Sequence, residues 1–365
     1  MQQCLKCCCV CSFSARRGVS QNQNVYGDEC MLSCRQHQNI LRLNLKHNCT
    51  PDLAQLFTTM AADRTHRREK VWIDCDPGHD DAFALMLAGH SPCLEVVGVS
   101  TSAGNQTLAK TTKNALDVLF ASGLGHLPVY TGQEQPLLRS VTVCPEIHGD
   151  SGLGGPTFAA HALTLASSTP AFLRLHEVLA EHAAAASAAD AAASEENRLT
   201  IVCTGPLTNL ALLLVAFPRD AALIRRVVLM GGAIGAGNTR PASEFNIEVD
   251  PEAAKVVFDS GIPVVMVPLE VTHTALVRPA VIESLRRRLS VDPASASAAL
   301  TPFGRVVIDL LLFFEQSYRD FFGFADGPPL HDPCAVFYLI APECFKCADM
   351  RVDIETASPL CYGCV

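Results

Sequence analysis

The sequence predicts an open, mostly parallel α/β sheet of Rossmann-like type with helices on both faces, and two observations carry that reading. First, short and nearly pure apolar runs (the run from Val71, then 94–101, 129–130, 199–203, 227–230 and 264–268) alternate with stretches of helical spacing. A strand covered on both faces reads as such a run, whereas a half-exposed strand would alternate with polar residues. Second, the run from Val71 turns at Pro77-Gly78 and resumes with helix-like spacing from Ala82. Strand, tight loop and helix form the unit that places ligands at the carboxyl end of a sheet strand.

That first turn crowds Asp74, Asp76, Asp80 and Asp81 together. Like charges so close stay ionised only where a cation or strong donors offset them. An oxygen-only set suits a hard cation, Ca²⁺ or Mg²⁺, rather than zinc. The plainer alternative is a solvated turn at a helix N-terminus, where Asp is favoured anyway. Next, the 94–101 strand enters Ser102-Ala103-Gly104-Asn105-Gln106, and a helix follows through Lys110, Ala115, Val118 and Leu119. The 129–130 strand leads to Gly132. Residues 144–156 are glycine-rich and read as a loop too irregular for either element, of the kind that covers a site. Residues 171–182 predict a helix, and the alanine-rich stretch about 183–196 a surface insertion extending it. The 199–203 strand enters Thr204-Gly205-Pro206-Leu207-Thr208-Asn209 and another helix. After 227–230 come Gly231-Gly232 and a turn-rich segment, until Pro251 opens a helix at its first turn. Helices are predicted over 278–289, 301–322 and 335–340, with His331-Asp332-Pro333 in the loop before the last.

With 365 residues, 49% of them hydrophobic, the chain can bury a full α/β core. A formal net charge of -9 argues against a nucleic-acid or anionic-membrane partner. No apolar run is long enough for a transmembrane helix. Of the 17 cysteines, Cys4, Cys7, Cys8, Cys9, Cys11, Cys30, Cys34 and Cys49 lie near the start, and Cys344, Cys347, Cys361 and Cys364 near the end. That uneven placement fits a reducing, cytoplasmic compartment rather than a disulfide scaffold. Residues 1–66 lack periodicity and are expected to be a disordered or artefactual extension, with Met60 as the working start. The functional domain is then 67–365. Cys7-Cys8-Cys9 and Asn48-Cys49-Thr50 are weak matches to palmitoylation and glycosylation signals.

Polar groups gather at the strand ends: Asp76, Asp80, Asp81, Asn105, Thr204, Asn209, Asn238, Glu244, Asn246, and later His331 and Asp332. Carboxylates and amides at that density suit a polyhydroxyl ligand such as a sugar, together with a hard metal. Here the chain resembles the inosine–uridine nucleoside hydrolases. The resemblance rests on Asp74-Cys75-Asp76-Pro77-Gly78-His79-Asp80-Asp81, Gly104-Asn105-Gln106, Ile147-His148-Gly149, Thr204 to Asn209 and Val228-Leu229-Met230-Gly231-Gly232. It continues through Glu244-Phe245-Asn246-Ile247, Asp250-Pro251-Glu252 and His331-Asp332-Pro333, in the family's order. Trp72 and Gly327-Pro328-Pro329-Leu330-His331-Asp332 look most like the fungal uridine nucleosidases.

The resemblance implies the nucleoside hydrolase fold and hydrolysis of ribonucleosides, uridine foremost, to ribose and free base in nucleoside salvage. It implies Ca²⁺ held by Asp76, Asp81, the carbonyl of Thr204 and Asp332, with Asp76 as general base. Asp80, Asn105, Asn238, Glu244 and Asn246 would grip the ribose, with Met230 beneath it. His331, and His148 from the 144–156 loop, would face the base and protonate it as it leaves. A homodimer or homotetramer is the family's usual state. Family members continue for tens of residues past Leu360, so a shortened, unstable or inactive chain is one expectation. A phosphatase using Asp74-Cys75-Asp76 with Mg²⁺, and a zinc module of Cys344, Cys347, Cys361 and Cys364, are the competing expectations.

Overall fold

Residues of the central strands divide by parity between two apolar layers. Val71, Ile73 and Cys75 face one layer and Trp72 the other; Val228 and Met230 face the first, Val227 and Leu229 the second. Val265 and Val267 against Val264 and Met266 repeat the pattern. Successive strand residues point to opposite faces, so a sheet buried on both needs apolar residues at every position. This is why the strands were legible as unbroken runs.

The computed structural model describes residues 39–41, 68–187, 198–295 and 297–365. The strands are β1 (Asn39–Leu41), β2 (Glu69–Cys75), β3 (Leu94–Thr101), β4 (Val129–Thr131), β5 (Leu199–Cys203), β6 (Ile224–Met230), β7 (Val264–Val267) and β8 (Cys347–Asp349). They form one sheet in the order β4-β3-β2-β5-β6-β7-β1-β8. Neighbours from β4 to β7 are parallel, β1 runs parallel to β7, and β8 closes the edge antiparallel to β1. β1 lies within the segment expected to be unstructured; the rest of 1–67 is outside the described residues, as are 188–197 of the alanine-rich insertion.

One layer is built by α1 (His79–His90), α2 (Leu108–Ala121), α10 (Pro302–Phe322) and α11 (Asp332–Ile340). The other is built by α4 (Ala171–Ser187), α5 (Thr208–Ala216) and α7 (Pro251–Phe258). Each of the six apolar runs read above as a strand coincides with a strand of the sheet. The 144–156 loop differs from expectation in holding a short helix, α3 (Pro145–His148), opened by a proline at its first turn. A second short helix, α6 (Phe245–Val249), interrupts the turn-rich segment, and α8 (Leu269–Thr272) and α9 (Pro279–Arg288) follow β7. Among the described residues no helix is long and apolar enough to cross a membrane.

Candidate active site

The strands β2, β3, β5 and β6 all end on the same edge, and the turns leaving them meet there. Asp76 follows β2 and is fully buried. Its Oδ2 accepts the backbone N–H of Asn105 at 2.6 Å, while its Oδ1 has no partner. Two glycines make room for that carboxylate: a Cβ on Gly104 would stand 2.0 Å from Oδ2, and one on Gly205 2.4 Å from Oδ1. Asp81, in the first turn of α1, accepts from the N–H of Gly78 (2.9 Å), the amide of Asn105 (3.0 Å) and the hydroxyl of Thr204 (2.7 Å).

Asp80, Asp81 and Asp332 converge, each offering an oxygen within 4.8 Å of the others. Asp332 arrives from the start of α11, which packs beside α1. Among the described residues this is the one group of three or more His, Cys, Asp or Glu side chains able to share an ion. Among the described residues Cys344, Cys347, Cys361 and Cys364 form no group of three or more side chains able to share an ion. Burial raises every one of these carboxyl pKa values, Asp80 to about 7, and the mutual repulsion of Asp76, Asp80, Asp81 and Asp332 adds to it. Three buried carboxylates converging beside the unpartnered Oδ1 of Asp76 form an oxygen donor set that fits a hard divalent ion. Asp74 stands apart. It accepts from Ser100 (2.5 Å) and Asn209 (2.7 Å), and Ser100 in turn accepts the Trp72 indole N–H at 2.7 Å, so its role is to tie the strands together.

The remaining predicted residues line one cavity of about 430 Å³, together with Asp80, Asp332 and Thr204: Asn105, His148, Met230, Asn238, Glu244, Asn246 and His331. Asn246 donates to the carbonyls of Thr204 (2.8 Å) and Met230 (3.2 Å). Glu244 caps α6, its oxygens accepting from the N–H groups of Gly232, Asn246 and Ile247. Its pKa is raised to about 7 by burial. Asn238 Oδ1 accepts the backbone N–H of Phe245 at 2.9 Å.

Histidine and tyrosine side chains line the same cavity. His331 lies between Thr272 at Nδ1 and Tyr318 at Nε2, both at 2.7 Å, and burial lowers its pKa to about 3. His148 Nδ1 accepts the backbone N–H of His79 at 3.2 Å, and its pKa is also lowered, first by burial. Its neutral ring therefore carries its proton on Nε2. His79 is held by Gly154 O at 2.9 Å and stacks on Phe313 and Phe314. Tyr318 and His79 were not among the residues read from the sequence. Tyr318 sits inside the long apolar helix α10, where nothing local distinguishes it from core; His79 stands within the aspartate turn but partners a residue 69 positions away.

An open α/β sheet with a buried carboxylate cluster beside buried histidine and tyrosine side chains, at the ends of its strands, is suited to hold a hard divalent ion and a polyhydroxyl ligand. The family is specific: residues 71–365 match the inosine-uridine preferring nucleoside hydrolases, and the chain belongs to that family. It is 45% identical over 298 residues to a probable ribonucleoside hydrolase of Dictyostelium discoideum, covering 80% of this chain and 83% of the relative. It is 44% identical over 293 residues to a pyrimidine-specific ribonucleoside hydrolase of Klebsiella pneumoniae, covering 80% of this chain and 86% of the relative. Among solved structures it resembles a plant nucleoside hydrolase at TM-score 0.70 and 30% identity, covering 82% of this chain and 86% of that one. A purine-preferring ribonucleoside hydrolase from Gardnerella vaginalis superposes at TM-score 0.69 and 28% identity, covering 80% and 86%.

Proposed function

We propose that the chain hydrolyses the N-glycosidic bond of pyrimidine ribonucleosides, uridine first, to ribose and free base, with Ca²⁺ as its metal and nucleoside salvage as its role. The observation that carries this is the convergence of Asp80, Asp81 and Asp332 beside the unpartnered Oδ1 of Asp76, in a cavity that His148, His331 and Tyr318 also line.

Asp76, Asp81, the carbonyl of Thr204 and Asp332 would hold the ion, with Asp80 adjoining. When bound, the ion supplies a fixed positive charge that makes a nearby water easier to deprotonate and keeps the carboxylates ionised. Asp76 takes the proton of the attacking water at its free Oδ1. The water oxygen attacks the anomeric carbon, which gains oxocarbenium character as the bond to the base breaks. Asp80, Asn105, Asn238, Glu244 and Asn246 orient the ribose, and Met230 supports it from below. The departing base needs a proton. His331 and the Tyr318 hydroxyl at its Nε2 relay one from solvent, His331 being protonated only in passing and neutral again afterwards, while the Nε2–H of His148 hydrogen-bonds the departing base and keeps its proton.

A pyrimidine preference is supported by the pyrimidine-specific relative and by Trp72, the one tryptophan of the chain. Its ring is fully buried and stacked on Tyr130 at 5.5 Å, leaving no indole to sandwich a purine. The test is release of ribose from uridine, cytidine and inosine, with p-nitrophenyl phosphate as the contrast. Uridine turnover that exceeds inosine turnover supports the reading; cleavage of the phosphomonoester alone transfers the site to the phosphatase class.

A further inference from the structure

The outer rim of the cavity carries a stack of side chains with no part in the reaction just described. Tyr362 lines the cavity, and the guanidinium carbons of Arg139 and Arg240 lie 4.1 and 4.2 Å from its ring centroid. Each cation is itself fixed. Arg139 is bidentate to Glu252 (2.7 and 2.9 Å) and donates to the carbonyl of Thr356 at 2.8 Å. Arg240 donates to Glu248 at 2.8 Å and to the Tyr362 hydroxyl at 2.6 Å.

The two arginines come from different walls. Arg139 belongs to the segment between β4 and α3 that covers the cavity, and Arg240 to the loop between β6 and α6 that contains Asn238 and Glu244. The Tyr362 backbone is pinned to the same loop, because its carbonyl accepts from Ser243 Oγ at 2.8 Å and Cys364 pairs with Ser243 as an antiparallel bridge. Gly363, at φ +81°, lets the turn press on α6; a Cβ there would stand 2.8 Å from the Glu248 Cα. The ring thus joins three segments remote in sequence, one face of the join being cavity wall.

We propose that Tyr362 is a positioning residue of the substrate site: its ring, packed against Arg139 and Arg240, ties the covering segment to the ribose-facing loop and fixes the outer wall against which a ribonucleoside seats. This rests on the ribonucleoside reading above. The acidic cluster belongs to other turns, so loss of the ring weakens binding and leaves the chemical step alone.

The experiment compares the parent chain with Tyr362→Phe, Tyr362→Ala and Arg139→Gln, in saturating Ca²⁺. Two readouts are used: kcat and KM for uridine, and the calorimetric Kd of pseudouridine, whose C-linked base cannot leave by hydrolysis. Tyr362→Ala raises KM and Kd about tenfold, the scale of two lost cation–ring contacts. Its kcat stays within about twofold, the signature of lost uniform binding. Tyr362→Phe, which keeps the ring, restores both constants to within about threefold of the parent. Arg139→Gln weakens binding about threefold and serves if the alanine variant does not fold. The proposal is overturned if Kd is unchanged in Tyr362→Ala and Arg139→Gln, if Phe is as damaging as Ala, or if pseudouridine does not bind the parent. Should the parent bind pseudouridine tightly and Tyr362→Ala weaken it while uridine is not cleaved, the hydrolase reading fails and the positioning role stands.

Discussion

The acidic group and the histidine–tyrosine group of the cavity, joined in the chain at His331-Asp332, pose opposite electrostatic problems. In the aspartate group, four buried carboxylates repel one another and one oxygen of Asp76 has no partner. In the histidine–tyrosine group the titratable rings are neutral, and both nitrogens of His331 are occupied. Burial acts on both groups in the same sense, disfavouring charge. It drives the carboxyl pKa values up and the imidazole values down. The difference lies in what each group needs. On the function proposed above, a cation stabilises the acidic group in its ionised form, whereas the neutral group needs only a route for protons. Damage to the first should therefore register in metal binding, pH response and rate together, and damage to the second in rate alone.

The largest effect is expected from Asp76→Asn, which removes the base oxygen and a charge of the ion site. Its kcat for uridine should fall by about 10³-fold or more, with weakened Ca²⁺ binding, on the scale of general-base and metal contributions combined. Retention of a tenth of parental kcat would break the assignment. In the other group, His331→Ala should cost about 10²-fold in kcat, as for loss of a general acid. Tyr318→Phe should cost about tenfold, near the value of one hydrogen bond. Ca²⁺ affinity should be unchanged in both, and a shared loss of affinity would mean that the two groups are not independent.

The pH dependence of stability separates the groups without turnover. Asp80 has a folded-state pKa of about 7 against an ordinary value of 3.8, raised by burial and then by Asp81. The folded chain therefore binds more protons than the unfolded one between these values. Stability of the metal-free chain falls as pH rises from about 4 to about 7, by a few kcal/mol at most. Melting in chelator at pH 5.5 and 7.5 should show a lower midpoint at pH 7.5, and saturating Ca²⁺ should abolish the gap. A flat profile in chelator would show that the carboxylates are compensated within the protein. The smallest effect on rate is expected from Ser100→Ala. It strands the buried Trp72 N–H and removes a donor to Asp74, so it should lower stability by about 1–3 kcal/mol while kcat changes less than about twofold.

The same contrast governs what the sequence made legible. The aspartate group was readable because Asp76, Asp80 and Asp81 follow one strand within a single turn, and local spacing is visible in a chain. Asp80, expected to face ribose, lines the cavity and also brings an oxygen within 4.8 Å of Asp81 and Asp332. Repulsion between side chains meeting from two helices cannot be counted along one of them. The sheet was readable because double burial leaves no polar position within a strand. The neutral group was less so. Tyr318 becomes a partner of His331 only once α10 and α11 pack, and Glu244 receives the Gly232 N–H only once the turn after β6 folds back toward it. Short helices α3 and α6 were hidden for a related reason: their caps, Cys144 and Glu244, sit among glycines and prolines whose local signal is turn.

The central claim is that the acidic group works on a ribonucleoside only with a cation in place. Its most direct test is ribose release from uridine by chelator-stripped protein, followed through a Ca²⁺ titration. The account predicts no release in chelator and recovery that saturates as one ion binds per chain. Undiminished release in chelator, or none at saturating Ca²⁺ by a chain that melts cooperatively, would contradict it.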